Sequence, residues 1–125
     1  IKKYNLNRVS LEGRRDPNTY YMNSPILIQT SSGEGWPMVL MECMPAGVVP
    51  CIFDSYAAAR DIIISRNNGI LVPNNNVSLF YEELAQLMLN NTTREQMALK
   101  AIESSKRFAV ESVGTKWVNL FNNLV

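Results

Sequence analysis

Glu34 stands between Gly33 and Gly35, and a second carboxylate, Glu42, follows eight residues later. From Trp36-Pro37 onward the pattern turns helical, with Val39, Leu40, Cys43 and Met44 at i, i+1, i+4 and i+5. Pro37 suits a first helical turn, where its missing N–H is no loss. Free amides at a helix start, reinforced by the helix dipole, bind phosphate or hydroxyl oxygens. Small residues before that helix let a ligand come close to the backbone. Glu42 falls about one and a half turns into the helix, and side chains lean toward the helix N-terminus, so it points to the same rim as Glu34. Carboxylates there accept hydrogen bonds from sugar hydroxyls while the amides hold phosphate, and a nucleotide sugar presents both groups. The plainer alternative is that the loop merely caps the helix and Glu42 sits on a solvated face.

The rest of the composition narrows the chemistry. The chain of 125 residues holds no histidine, which removes the usual general base near neutral pH and the commonest metal ligand. Its two cysteines, Cys43 and Cys51, are too few for a disulfide framework and both lie in apolar stretches, so they read as buried thiols in a reducing compartment. A net charge of +1 suggests neither nucleic acid nor a membrane surface as a partner. With 46% apolar and 18% charged residues the chain reads as globular, one domain in length, and no apolar run approaches a membrane span. Residue 1 is Ile, no signal peptide opens the chain, and a piece of a longer protein is expected.

These residues need elements to hold them. Arg8-Val9-Ser10-Leu11 reads as a short strand, ended by Gly13. Asp16 caps a short helix with Pro17 at its first position. Ile26 to Thr30 is a buried strand, and Pro45-Ala46-Gly47 stops the helix that carries Glu42. Val48 to Phe53 forms the next strand, where Pro50 argues for an edge or an irregularity. Ala57 to Ile64 is a short helix, Asn67-Asn68-Gly69 a turn, and Ile70-Leu71-Val72 a third buried strand. The remainder is helical: Phe80, Leu84, Leu87 and Met88 share a face, Thr93 caps a helix to about Phe108, and Val113, Trp117, Leu120, Phe121 and Leu124 form a core-facing stripe. Strand and helix alternate throughout, the pattern of an α/β parallel sheet with covering helices. Ligands of such sheets sit beyond the carboxyl ends of the strands, where the Ser31 to Gly35 loop lies. Tyr4, Tyr20 and Tyr21 could stack a base, although helix or core packing is the default for them. Asn76-Val77-Ser78, Asn90-Asn91-Thr92 and Asn91-Thr92-Thr93 fit the glycosylation pattern by chance in an asparagine-rich chain.

The stretch Glu34-Gly35-Trp36-Pro37-Met38-Val39-Leu40-Met41-Glu42-Cys43-Met44-Pro45-Ala46-Gly47 resembles the E-x7-E signature of retaining GT-B glycosyltransferases of family 4, also called group 1. Ser24 to Ser31 resembles that family's strand ending in serine, and Asn68-Gly69-Ile70-Leu71-Val72-Pro73 its N-G-x-L-V turn and strand. Arg107-Phe108 and Lys116-Trp117 are similar to its C-terminal end, so the resemblance covers about residues 8 to 125. It implies a Rossmann-like donor-binding half of a hexosyltransferase working in cell-surface polysaccharide or lipopolysaccharide synthesis. Glu34 would lie beside the donor sugar as the catalytic residue, and Glu42 would accept the ribose hydroxyls. The amides of Gly35, Trp36, Met38, Val39 and Leu40, with Gly33 before them, would contact sugar and diphosphate, and the Leu11 to Arg14 loop, through Gly13 and Arg14, would flank the base.

The same resemblance implies a nucleotide-sugar substrate, no metal and no other cofactor. It also implies a glycan or lipid-linked acceptor held by an N-terminal domain, a Gly-rich loop and an Arg/Lys pair that this chain lacks, and a cytoplasmic site, peripheral at the inner membrane face in the full-length protein. The fragment alone would not catalyse. The chain departs from the family pattern where Pro37 replaces a glycine, where Ser55-Tyr56-Ala57 stands in place of paired glycines, and where Asp61 replaces a glutamate. A non-catalytic Rossmann-like nucleotide-binding or regulatory domain remains an alternative, as does a phosphorylase-like or epimerase relative.

Overall fold

The computed structural model describes residues 2–4 and 6–124; Ile1, Asn5 and Val125 lie outside the described residues. Helix α1 (Pro17–Tyr21) starts as its sequence demands: the Asp16 carboxylate accepts the Asn18 amide at 3.0 Å and Pro17 opens the first turn. Strand β1 (Ile26–Gln29) leads through the glycine-containing loop into α2 (Met38–Cys43), which Gly47, at φ 79°, ends after a 3-10 turn over Met44–Ala46. Then come β2 (Val49–Asp54), α3 (Ala57–Ile62), β3 (Ile70–Pro73), α4 (Val77–Leu89), α5 (Asn91–Ser105) and α6 (Val110–Asn122).

Among the described residues the strands form one parallel sheet in the order β1-β2-β3, with Gln29 level with Ile52 and Asp54 level with Pro73. Strand β2 is buried along almost its whole length and its alternation feeds two cores. Val49, Cys51 and Phe53 pack with Ile70 and Val72 of β3, Phe80 and Leu87 of α4 and Met97 of α5. Ile52 packs on the opposite side with Leu40 and Cys43 of α2 and Ala58, Ala59 and Ile62 of α3. The α/β class and the parallel sheet expected from the sequence are therefore present. No described helix is long and apolar enough to cross a membrane.

Five local expectations are corrected. Residues 8–11 form no strand; they are exposed and have no ladder partner to satisfy their backbone groups. Strand β1 is the sheet edge among the described residues, so Ile28 is 52% exposed instead of buried. Pro50 does not mark an edge, since it sits in the central strand. The Val49 amide donates toward β1, to the Pro25 carbonyl at 3.0 Å, so the neighbouring Pro50 nitrogen faces the other way, toward Gly69, just before β3 pairing begins. No ladder bond is lost there. The cap of α5 is Asn90, whose side chain accepts the Thr93 amide at 3.0 Å; Asn76 caps α4 in the same way through Leu79, at 3.1 Å. The α6 stripe is not core-facing either: none of that helix is buried, and Trp117 is 55% exposed.

Candidate functional site

The parallel register brings the carboxyl ends of β1 and β2 side by side, and two hydrogen bonds tie the loops that follow them. The Ser55 hydroxyl donates to the Ser31 carbonyl at 2.6 Å, and the Tyr56 hydroxyl donates to Gln29 Oε1 at 2.9 Å. Gln29 in turn donates through Nε2 to Glu34 Oε1 at 3.2 Å. Glu34 is thus anchored to the end of the sheet while remaining exposed in its loop. Burial first, and the Glu34 charge second, push the Tyr56 phenol up to about 12, so it stays a donor at physiological pH.

Glu42 is held separately. The Tyr21 hydroxyl donates to its Oε2 at 3.0 Å, across the α1–α2 contact. Burial, followed by that hydrogen bond, pushes the Tyr21 phenol up to about 12. The two carboxylates therefore belong to one loop-and-helix segment but are aimed by different neighbours, Gln29 for one and Tyr21 for the other.

The backbone around them is open. Gly33, Gly35, Trp36 and Met38 are exposed and Val39 is half-buried. A Cβ added at Gly33 or Gly35 would meet nothing within 4 Å, so packing among the described residues does not require glycine at either position. Pro37 is the N-cap of α2, one residue earlier than a first-turn position, with no side-chain cap bond. Leu40 is corrected as an amide donor: its N–H donates to the Pro37 carbonyl at 3.0 Å and its side chain is fully buried in the core. Met38 and Val39 remain as the amides at the helix start without an intrahelical acceptor. Trp36 rests edge-on against Phe108 at 5.5 Å, and the Arg107 guanidinium lies 4.5 Å from the Phe108 ring.

Gly13 takes a left-handed φ of 67° in an exposed loop with Arg14, and nothing among the described residues ties that loop to Glu34 or Glu42. The largest cavity described, about 690 Å³, also lies elsewhere, at the amino end of β3 between α4 and α5. A shallower one of about 470 Å³ borders the rim at Asp54, Tyr56 and Arg60. The sequence reading missed Tyr21, Gln29, Ser55 and Tyr56 as partners of this site. Only their places at strand ends, or on a helix beside one, could have pointed to them.

Residues 1–104 match the family model for glycosyl transferases group 1. The chain is 29% identical over 124 residues to the amylovoran biosynthesis glycosyltransferase AmsD of Erwinia amylovora, covering 98% of this chain and 35% of that protein. It superimposes with a TM-score of 0.85 on a Staphylococcus aureus TarM mutant solved with fondaparinux, α-GlcNAc-glycerol and UDP, at 28% identity, over 98% of this chain and 25% of that one. A TM-score of 0.70 at 18% identity relates its fold to the C-terminal domain of a group 1 glycosyl transferase, LpcC, from Francisella tularensis, over 84% of this chain and 56% of that domain chain. The chain spans at most 35% of the length of the curated relatives it matches.

Proposed function

The chain belongs to the glycosyl transferases group 1 family, and from that premise we propose that it is the donor-binding, Rossmann-like part of a retaining GT-B hexosyltransferase. The donor is a nucleotide-diphosphate sugar. The acceptor is a glycan or lipid-linked sugar of a surface polysaccharide, held by a domain outside these residues, in a cytoplasmic enzyme that requires no metal. One observation carries the reading: an exposed, glycine-flanked Glu34 at the carboxyl end of β1, followed by α2 with an exposed Glu42, each carboxylate using one oxygen for a neutral donor. Its other oxygen is left to accept from a ligand, since no donor among the described residues bonds it. One fold relative, the TarM mutant, was solved with UDP bound.

The chemistry follows from the charges. As the nucleoside diphosphate departs, negative charge grows on its phosphate oxygens, which the amides of Met38 and Val39 and the dipole at the start of α2 stabilise. Positive charge grows at the sugar carbon, beside the Glu34 carboxylate. Glu42 accepts ribose hydroxyls in ground and transition states alike, so its contribution is to affinity. Calorimetric titration of UDP, ADP and GDP into the full-length protein tests the reading. Saturable binding of one of them, weakened at least tenfold by Glu42→Ala, is expected. Lack of binding by all of them, or binding indifferent to Glu42→Ala, would overturn it.

A further inference from the structure

We propose that Tyr56 is a positioning residue for the transfer reaction: acting through Gln29, it fixes the direction in which the Glu34 carboxylate faces the donor sugar. The inference rests on the reading of Glu34 given above and adds the residues that aim it.

The polarity of the chain of bonds leaves one arrangement. An ionised carboxylate only accepts, so the Gln29 group facing Glu34 Oε1 at 3.2 Å must be its NH2. The amide oxygen of Gln29 is then turned to Tyr56, whose hydroxyl must donate to it, at 2.9 Å. Without that hydroxyl, the Gln29 side chain loses the anchor on the far side of its amide, and the one donor that holds Glu34 moves with the carboxylate instead of fixing it. Glu34 itself sits in an exposed loop, and among the described residues Gln29 is its one hydrogen-bond donor. A carboxylate so placed sweeps through several rotamers unless something holds it, and transition-state stabilisation demands a fixed direction. The burial that raises the phenol keeps Tyr56 a donor throughout the physiological pH range.

The two parts of Tyr56 do separate tasks. Its ring packs against the cluster of Leu40, Ile52, Ala59 and Ile62, and its hydroxyl reaches out of that cluster to the rim. Phenylalanine keeps the first and removes the second.

The test is steady-state kinetics and nucleoside-diphosphate calorimetry on the full-length protein carrying Tyr56→Phe, Gln29→Met, both together, or either with Glu34→Gln. Loss of the neutral Tyr56–Gln29 hydrogen bond corresponds to a roughly three- to tenfold fall in kcat. Tyr56→Phe is expected to show that fall, and Gln29→Met, which also removes the bond to the Glu34 carboxylate, a fall at least as large, each with nucleotide affinity and thermal midpoint unchanged. The double variant is expected to fall no further than Gln29→Met alone, and Tyr56→Phe is expected to have no effect once Glu34→Gln is present. If Glu34→Gln lowers kcat while Tyr56→Phe does not, the reading of Glu34 stands and the relay falls. If Glu34→Gln is fully active, that reading falls and takes the relay with it. Should Tyr56→Phe lower the thermal midpoint, Gln29→Met decides: an unchanged kcat there overturns the relay, and a fall with unchanged nucleotide affinity supports it.

Discussion

Replacing Asn68 by alanine is expected to cost about 2–3 kcal/mol of stability. Asn68 is 1% exposed, and its amide joins three segments: Oδ1 accepts the Ile64 N–H at 2.8 Å, and Nδ2 donates to the Ile62 carbonyl at 3.1 Å and to Ser104 Oγ at 2.8 Å. At about 0.5–1.5 kcal/mol net for each bond, the simple sum spans roughly 1.5–4.5 kcal/mol. Two of the abandoned groups keep other partners. Arg107 also donates to the Ile62 carbonyl, at 3.1 Å, and the Ser104 hydroxyl donates to the Ala101 carbonyl, also at 3.1 Å. Only the Ile64 amide loses its sole acceptor, which places the cost in the middle of the range. For a chain of this length the midpoint should fall by roughly 6–15 °C. Urea and thermal unfolding followed by circular dichroism measure both quantities, with Asn67→Ala, at an exposed turn position, as a control expected within about 0.5 kcal/mol of the parent. Asn68→Asp adds a sign test. A carboxyl in this buried site has its folded pKa raised above the unfolded value, so stability is lost as pH rises, and the penalty should be smaller near pH ~4 than near pH ~7. An Asn68→Ala variant as stable as the Asn67→Ala control would refute the three-way clamp.

Gly69→Ala should destabilise by roughly 1–3 kcal/mol, because the new Cβ would lie 2.8 Å from Pro50 Cγ and 2.9 Å from the Pro50 carbonyl oxygen. Pro50→Ala should restore part of that loss and not all, since the carbonyl stays; an unchanged unfolding midpoint for Gly69→Ala would contradict the packing. Cys43 and Cys51 should label slowly in the folded protein, because burial pushes both thiols up to about 12 and leaves about one thiolate in ten thousand at pH ~8. Rapid reaction with a maleimide under native conditions would show that one of them is accessible.

How far the sequence could be read depended on the range of the interaction that decided each feature. The three strands from Ile26 onward, the Asp16-Pro17 helix start and the Pro45 to Gly47 stop are local signals, and each falls where expected within a residue or two, whereas the short apolar run at residues 8–11 found no partner strand. The Glu34 loop was placed correctly at the end of β1 for the same reason, because a glycine-containing turn after an apolar run is a local pattern. Pro50 misled because its tolerance depends on which neighbour its nitrogen faces, which register alone decides. Thr93 and Asn90 both carry capping groups, and the choice between them hung on where the preceding helix ended. The α6 stripe has the periodicity of a packed helix, yet periodicity does not reveal whether a surface to pack on is present among these residues. The long-range bonds behind the two carboxylates were out of reach altogether. Tyr21 lies 21 residues from Glu42 and Tyr56 lies 27 from Gln29, so only the folded sheet brings them together.

Steady-state kinetics of the full-length protein carrying Glu34→Gln or Glu42→Ala tests the division of labour between the two carboxylates, on which the account turns. Glu42→Ala should raise the donor KM by roughly 10- to 150-fold, the equivalent of about 1.5–3 kcal/mol for hydrogen bonds to a charged group, with kcat little changed. Glu34→Gln should lower kcat while leaving nucleotide affinity near that of the parent, because the charge it removes matters only as positive charge develops on the sugar. A fully active Glu34→Gln variant, or a donor KM untouched by Glu42→Ala, would contradict the assignment.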